Sequence, residues 1–135
     1  MAILFFLMAP VMSMNIAQPD SLIITIENIR SNEGQLKVCV FDNETDFMQQ
    51  PVICEDVTDF SKQEHELSLR VSLDRRYGVI VYHDLNANGK LDRNILGIPR
   101  EPYGFSNNPS TRFGPPDFDK ASFDSSKLNK IVIRL

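Results

Sequence analysis

The stretch DLNANGKLD, residues 84–92, spaces its oxygen-bearing side chains as a metal-binding loop does. A twelve-residue calcium loop takes ligands from positions 1, 3, 5, 7, 9 and 12 and has glycine at position 6. With Asp84 as position 1, the chain matches this pattern as far as Asp92 at position 9. The glycine at position 6 is Gly89. The predicted ligands each offer an oxygen atom and are Asp84, Asn86, Asn88, Lys90 through its backbone oxygen, and Asp92.

Two departures from that pattern weaken the predicted calcium site. Position 12 is Ile95, where a bidentate glutamate is expected, so Asn94, Glu101 or water would have to replace it. The loop also follows a predicted strand, which excludes an EF-hand. We therefore expect weak calcium binding, with a dissociation constant of about 10⁻⁴ to 10⁻³ M.

The competing interpretation of the same stretch is a polar turn without metal. Asn-Ala-Asn-Gly is a strong turn signal, because asparagine and glycine tolerate left-handed backbone angles. In that case Asp84 and Asp92 serve only as acceptors for backbone N–H groups. Neighbouring His83 is a candidate general base, but alternation along a strand points it away from Asp84. We therefore expect no catalytic residues. The least favoured alternative is a hydrolase centred on His83, Asp84, Asp92 and Glu101.

The elements that must position this stretch are predicted to be strands. Apolar residues alternate with period two, and β-branched residues are frequent, in several short runs separated by turn signals. The predicted strands cover residues 21–29, 34–42, 52–57, 65–73, 77–85, 121–123 and 130–135. This pattern predicts an all-β fold, a single immunoglobulin- or transthyretin-like β-sandwich of about seven strands, with a small barrel as the alternative.

Residues 86–119 contain no predicted strand and are rich in glycine and proline. A loop of this length inside a domain is usually functional or disordered. Because it carries seven large apolar residues, we expect it to be ordered and to bury them. Three of its aromatic side chains form a candidate ligand-binding platform for a small molecule or carbohydrate, and these are Tyr103, Phe105 and Phe113.

The two cysteines, Cys39 and Cys54, lie in consecutive predicted strands. If the chain reverses near Phe47, they stand opposite each other, close enough for a disulfide. The alternative is a pair of buried free thiols. A disulfide would fit a protein folded in an oxidising compartment.

The N-terminal residues 1–14 are almost wholly apolar, which is typical of a secretory signal peptide. We expect a signal peptide over residues 1–17 and a mature domain over residues 18–135, in the periplasm or outside the cell. The alternative is a cytoplasmic protein with a disordered or strand-forming N-terminus. The net charge is −4 and the basic residues are scattered, which disfavours nucleic-acid binding, and no later segment is suited to span a membrane.

Residues 83–108, HDLNANGKLDRNILGIPREPYGFSNN, and residues 112–123, RFGPPDFDKASF, carry a family resemblance. Together they resemble a bacterial exported family known only as domain of unknown function twenty-one forty-one. The resemblance extends over about residues 22–135 and implies a β-sandwich. It supplies no activity and no catalytic residues. We therefore expect a non-enzymatic module that presents its long loop to an unknown envelope or extracellular partner.

Overall fold

The computed structural model describes residues 20–135, so the predicted signal peptide over residues 1–17 lies outside the described part. The strands, in chain order, are β1 (Ser21–Ile29), β2 (Gln35–Phe41), β3 (Ile53–Val57), β4 (Gln63–Arg70), β5 (Arg76–Asp84), β6 (Tyr103–Phe105), β7 (Ser122–Asp124) and β8 (Lys130–Arg134). The single short helix of this part, α1, covers Phe118–Ala121. No helix among the described residues is long and apolar enough to cross a bilayer.

The strands form two sheets, which confirms the predicted β-sandwich. One sheet has the order β4-β1-β8, and the other has the order β3-β2-β5-β6, with β7 also pairing to β5. All pairs are antiparallel except β1 with β8. Strand β5 lies between β2 on one side and the short strands β6 and β7 on the other. It is therefore the central strand of the larger sheet and carries the candidate site at its end.

The main core lies between the two sheets and follows from the period-two pattern of the strands. Strand β1 turns Leu22, Ile24 and Ile26 inward, and all three are fully buried. From the facing sheet, Val79 and Val81 of β5 belong to the same cluster. Burying a side chain of this kind stabilises the fold by about 1.5–3 kcal/mol. Alternation then places the even-numbered residues of β5 on the outer face of its sheet.

The prediction that residues 86–119 contain no strand is wrong at one place. Residues 103–105 form β6, which pairs with Ile80–Tyr82 of β5. Strand β6 also approaches β8 so closely that a Cβ on Gly104 would overlap the backbone carbonyl of Arg134. Asn108 then closes this side of the sandwich, since its amide donates to the Val132 carbonyl at 2.9 Å and its oxygen accepts from the Arg134 N–H at 2.9 Å. The segment therefore lies against both sheets.

The predicted disulfide between Cys39 and Cys54 is confirmed. The two residues are directly opposed on β2 and β3, with their Cα atoms 4.2 Å apart. The bridge closes a separation of 15 residues. In the chain-entropy model a loop of this size contributes about 3 kcal/mol by restricting the unfolded chain.

A second apolar cluster covers the outer face of the five-stranded sheet. It joins Phe41, Ile80 and Phe105 to Ala121 of the short helix, and Phe47 from the turn after β2 packs against it. The Phe47 ring meets the Phe41 ring edge-on, with centroids 5.4 Å apart. Because this outer face is apolar, the segments 91–99 and 111–115 pack near it, and a cleft lies between them.

Candidate functional site

Asp84 ends β5 on the outer face of the sheet and is fully buried. Its Oδ2 accepts hydrogen bonds from the Gly89 N–H at 2.7 Å and from the side-chain amide of Gln35 at 3.1 Å. Its Oδ1 accepts from the Asn88 N–H at 3.2 Å. The carboxylate therefore anchors the turn that follows the strand, and these bonds supply the partners that a buried charge requires.

Glu101 is the second buried carboxylate of the loop and is only 6% exposed. Its Oε2 accepts from the Leu85 N–H at 2.6 Å, and its Oε1 accepts from the Asp92 N–H at 2.9 Å. The Arg100 N–H donates back to the Asp92 carbonyl at 2.7 Å. Glu101 thus ties the start of the loop to its return, and it holds backbone donors that would otherwise lack partners.

The side chains of Asn86 and Asn88 both donate to the carboxylate of Asp92. The distances are 2.7 Å from Asn86 Nδ2 to Oδ2 and 2.8 Å from Asn88 Nδ2 to Oδ1. These hydrogen bonds hold the pKa of Asp92 below its usual value, and the bond from Asn88 has a larger effect than the bond from Asn86. Lys90 is exposed, and its N–H donates to Asn88 Oδ1 at 2.9 Å. Hydrogen bonds from Asn88 and from the Asp92 N–H link Asp84, Asp92 and Glu101, which we name the carboxylate cluster.

As they stand, the contacts of the carboxylate cluster are those of a polar turn. Within residues 20–135 no group of three or more His, Cys, Asp or Glu side chains is placed to hold a metal ion. The amide N–H groups of Asn86 and Asn88 face Asp92, whereas a cation bound beside Asp92 would need the amide oxygens there. Rotating both amides would turn their oxygens towards it, so calcium and these hydrogen bonds are alternatives at one position.

His83 lies on the opposite face of β5 and is 1% exposed. Its Nε2 stands 2.6 Å from the Glu33 carbonyl oxygen, and the Phe60 ring lies edge-on with centroids 5.5 Å apart. Alternation along the strand therefore separates His83 from Asp84. Tyr82, in contrast, shares the face of Asp84 and donates from its hydroxyl to the Gly89 carbonyl at 3.2 Å.

Residues 94–98 form a compact turn that sequence reasoning did not single out. Asn94 Oδ1 accepts from the Leu96 N–H at 2.9 Å and from the Ile98 N–H at 3.0 Å, and the Asn94 N–H donates to the Ile98 carbonyl at 2.9 Å. The turn projects Ile95, Leu96 and Ile98, with exposures of 100%, 79% and 56%. We name these three side chains the apolar tip. The sequence does contain a signal for this turn, because Asn94 lies three residues before Gly97 and this spacing is typical of a β-turn.

The expectation that the large apolar residues of this loop are buried is wrong for four of them. The apolar tip is exposed, and Phe113 is 97% exposed. Phe105 and Phe118 are buried as expected. The physical reason is that the turn carrying the tip is held by hydrogen bonds to Asn94, so it stays folded without burying its apolar side chains. The remaining apolar side chains stay in solvent on turns fixed by backbone hydrogen bonds.

The three aromatic residues of the predicted ligand platform are divided by the structure. Tyr103 and Phe105 pack edge to face with ring centroids 5.9 Å apart, and both line a cleft of about 290 Å³. Phe113 does not line that cleft, although its neighbour Arg112 does. The cleft lies on the outer face of the larger sheet, between the segment 91–99 and the segment 111–115.

Comparison with known proteins gives a family but no activity. A family model described as an uncharacterised protein conserved in bacteria, DUF2141, matches residues 24–132 and so confirms the resemblance noted in the sequence. No curated protein and no solved structure matches the chain.

Proposed function

The chain belongs to the DUF2141 family, and we propose that it is an exported, non-enzymatic β-sandwich module that binds an envelope or extracellular partner through its long loop. The observation that carries the proposal is the exposure of the apolar tip and of Phe113. Contiguous exposed apolar patches mark interaction surfaces, whereas apolar residues exposed singly do not. Covering them would remove apolar area from water, which is the main driving force for association.

Two features support the exported and non-enzymatic parts of the proposal. A disulfide between Cys39 and Cys54 is typical of oxidising compartments. The buried carboxylates Asp84 and Glu101 already accept hydrogen bonds from backbone N–H groups, which gives them a role in ordering the loop. This ordering role accounts for their burial without any catalytic role.

The partner proposal is tested by a photo-crosslinking amino acid placed at position 95 or 113 in the protein expressed in its own cells. We expect one reproducible crosslinked product from each position and none from position 68, on exposed β4 of the other sheet. Changing Leu96 and Ile98 to serine should remove the product formed from position 113. Equal labelling from positions 95 and 68 would contradict the proposal.

Calcium binding by the loop remains part of the proposal and is tested by thermal unfolding. About 5 mM calcium, roughly ten times a dissociation constant within the expected range, should add about 1.4 kcal/mol of stability. For a domain of this size that corresponds to a rise of several degrees in the midpoint. The variant Asp92→Ala, which lacks one predicted ligand, should show no rise, and magnesium should give none with the wild-type protein. An unchanged midpoint in calcium would assign residues 84–92 to a polar turn alone.

The second candidate function is the binding of a small molecule, and it rests on the cleft beside Tyr103 and Phe105. Its volume lies at the lower end of the range for ligand pockets, which are apolar with a few polar groups at the edge. A carbohydrate would stack on aromatic faces, whereas an apolar ligand would need only the apolar floor. Isothermal titration with simple sugars and with apolar ligands separates the two.

A further inference from the structure

The floor of the cleft is apolar and is supplied by the sheet itself. Ile80 of β5 and Phe105 of β6 are buried members of the outer cluster, and Tyr103 is packed against them. Met48 closes the cleft from the turn after β2. The same face continues into a second hollow of about 280 Å³, which shares Met48 and Ile80 and reaches the disulfide at Cys39. An apolar chain or ring can therefore lie along this surface with its length in contact with protein.

The charged residues at the cleft have one sign, although the protein as a whole is acidic. Arg93 and Arg112 line it, and no Asp or Glu is among the described residues that do. The ion pairs found within residues 20–135 involve other basic side chains, and neither of these arginines takes part. A guanidinium has five N–H donors. Arg93 uses one of them on the Gly97 carbonyl at 3.0 Å, which leaves donors for a ligand.

The acidic groups that share a hollow with Arg93 are already engaged. Arg93 also borders a hollow next to Asp92 and Glu101. However, both oxygens of Asp92 accept from asparagine amides, and both oxygens of Glu101 accept from backbone N–H groups. Arg112, on the other wall, lies over the Phe113 ring with 6.0 Å to the centroid, a contact that leaves its N–H edge available.

From this arrangement we propose that the cleft binds an amphipathic anion, a molecule with an apolar chain or ring and a single carboxylate or phosphate head. The apolar part lies on Ile80, Tyr103 and Phe105, and the head accepts hydrogen bonds from Arg93 and Arg112. Arginine suits both kinds of head, because its planar fork matches two oxygens at once. This assignment rests on the second candidate function, binding of a small molecule in the cleft, and names the ligand class for it.

Isothermal titration of the mature protein with ligands that differ only in the head tests the assignment. Decanoate and decyl phosphate, kept below their micelle-forming concentrations, should bind with a dissociation constant below about 1 mM. Decanol has a comparable chain without charge, and decyltrimethylammonium carries the opposite charge. Decanol should bind at least about tenfold more weakly than decanoate, and the cation should not bind. The anion that binds more tightly, decanoate or decyl phosphate, shows whether the natural ligand has a carboxylate or a phosphate head.

A pair of matched variants locates the binding. Arg93→Gln/Arg112→Gln should weaken decanoate binding by about tenfold or more through loss of charge-assisted hydrogen bonds. The control Arg70→Gln/Arg100→Gln removes the same net charge from exposed positions that do not line the cleft, and it should bind as the wild type does. Both double variants should keep the thermal midpoint of the wild type, because none of the four side chains is buried.

Three results would overturn the assignment. They are absence of saturable binding by both anions, equal binding of decanol and decanoate, and equal loss of binding in the cleft variant and its control. These failures are separate from failure of the proposed partner role. Crosslinking from position 113 in cells, together with no binding of either anion, would reject the ligand class and leave the partner surface in place.

Discussion

The two halves of the segment between β5 and β6 differ in what they bury: one buries carboxylates, and the other leaves large apolar side chains in solvent. In the half formed by residues 84–92 with Glu101, the carboxylates of Asp84 and Glu101 are buried, with exposures of 0% and 6%. In the half formed by residues 93–99, the apolar tip is in solvent, and Ile95 is fully exposed. A simple rule that apolar residues are inside and charged residues are outside fails in both halves.

The difference follows from the hydrogen bonds that each half must make. A chain that crosses the end of a sheet carries backbone N–H groups with no strand to pair with, and carboxylates can accept several at once. Asp84 and Glu101 are buried because they supply those acceptors. In the turn at residues 94–98, the Asn94 side chain accepts hydrogen bonds from the backbone N–H groups of the turn. The apolar side chains of the turn are therefore not needed to hold its shape. One half therefore provides stability and the other provides a surface.

Among the residues of these two halves, the largest effect should come from removing a buried carboxylate. Asp84→Ala leaves the Asn88 and Gly89 N–H groups without their acceptor and should cost about 3 kcal/mol in the free energy of unfolding. Urea unfolding followed by circular dichroism measures this loss. The control Glu66→Ala, an exposed acidic residue on β4, should change stability by less than about 0.5 kcal/mol. Equal effects of the two substitutions would mean that the carboxylate cluster does not hold the loop.

An intermediate effect should appear at alkaline pH through Tyr82, which shares the polar half. Burial, and then the negative charge of Asp84, raise the pKa of Tyr82 to about 12. Because the unfolded chain ionises near its ordinary value of about 10 and the folded chain does not, stability is full below pH 10 and falls as the pH rises towards 12. The thermal midpoint measured over this range should fall more steeply for the wild type than for Tyr82→Phe.

The alkaline comparison needs a second tyrosine as its reference. Burial also raises the pKa of Tyr77, so the wild type and Tyr82→Phe both retain that contribution. The effect of Tyr82 is therefore the difference between the pH profiles of the wild type and of Tyr82→Phe. Parallel profiles between pH 10 and pH 12 would contradict the predicted role of Tyr82.

The smallest effect on stability should come from the exposed apolar residues. The combined change of Ile95, Leu96 and Phe113 to serine should alter the free energy of unfolding by no more than about 0.5 kcal/mol, because these side chains already contact solvent. By contrast, Phe105→Ala in the outer cluster should cost about 3–5 kcal/mol. Chemical unfolding of both variants gives the comparison. A loss above about 1.5 kcal/mol in the serine variant would show that the tip is packed in solution.

The strands were predictable where a long alternating run defined them. The run predicted over residues 21–29 is β1 within its observed bounds, and the run over residues 77–85 is β5 shifted by a single residue. Strand β6 was missed because Tyr103–Phe105 is three residues long and has glycine at its centre. Its place depends on the close approach of Gly104 to β8, which involves residues far away in the chain.

The candidate site was predictable in its composition and only partly in its geometry. The carboxylates and asparagines of residues 84–92 do come together, and Glu101 returns to them as the sequence suggested. The contribution of Gln35 to Asp84 was not foreseen, because it comes from a neighbouring strand. Arg93 and Arg112 showed no pattern in the sequence, and they meet only because two loop segments flank one cleft.

The amino-acid sequence by itself indicated an all-β sandwich, the opposition of Cys39 and Cys54, and a polar stretch after β5. The fold class and the polar stretch follow from local residue patterns, and the opposition of the cysteines follows from pairing between the consecutive strands β2 and β3. Only the tertiary structure decided that Asp84 and Glu101 are buried, that the apolar tip is exposed, and that a cleft with two arginines lies beside them. Burial depends on which segments share the limited face of a sheet and on which backbone N–H groups remain to be paired. Neither quantity exists until distant parts of the chain have come together.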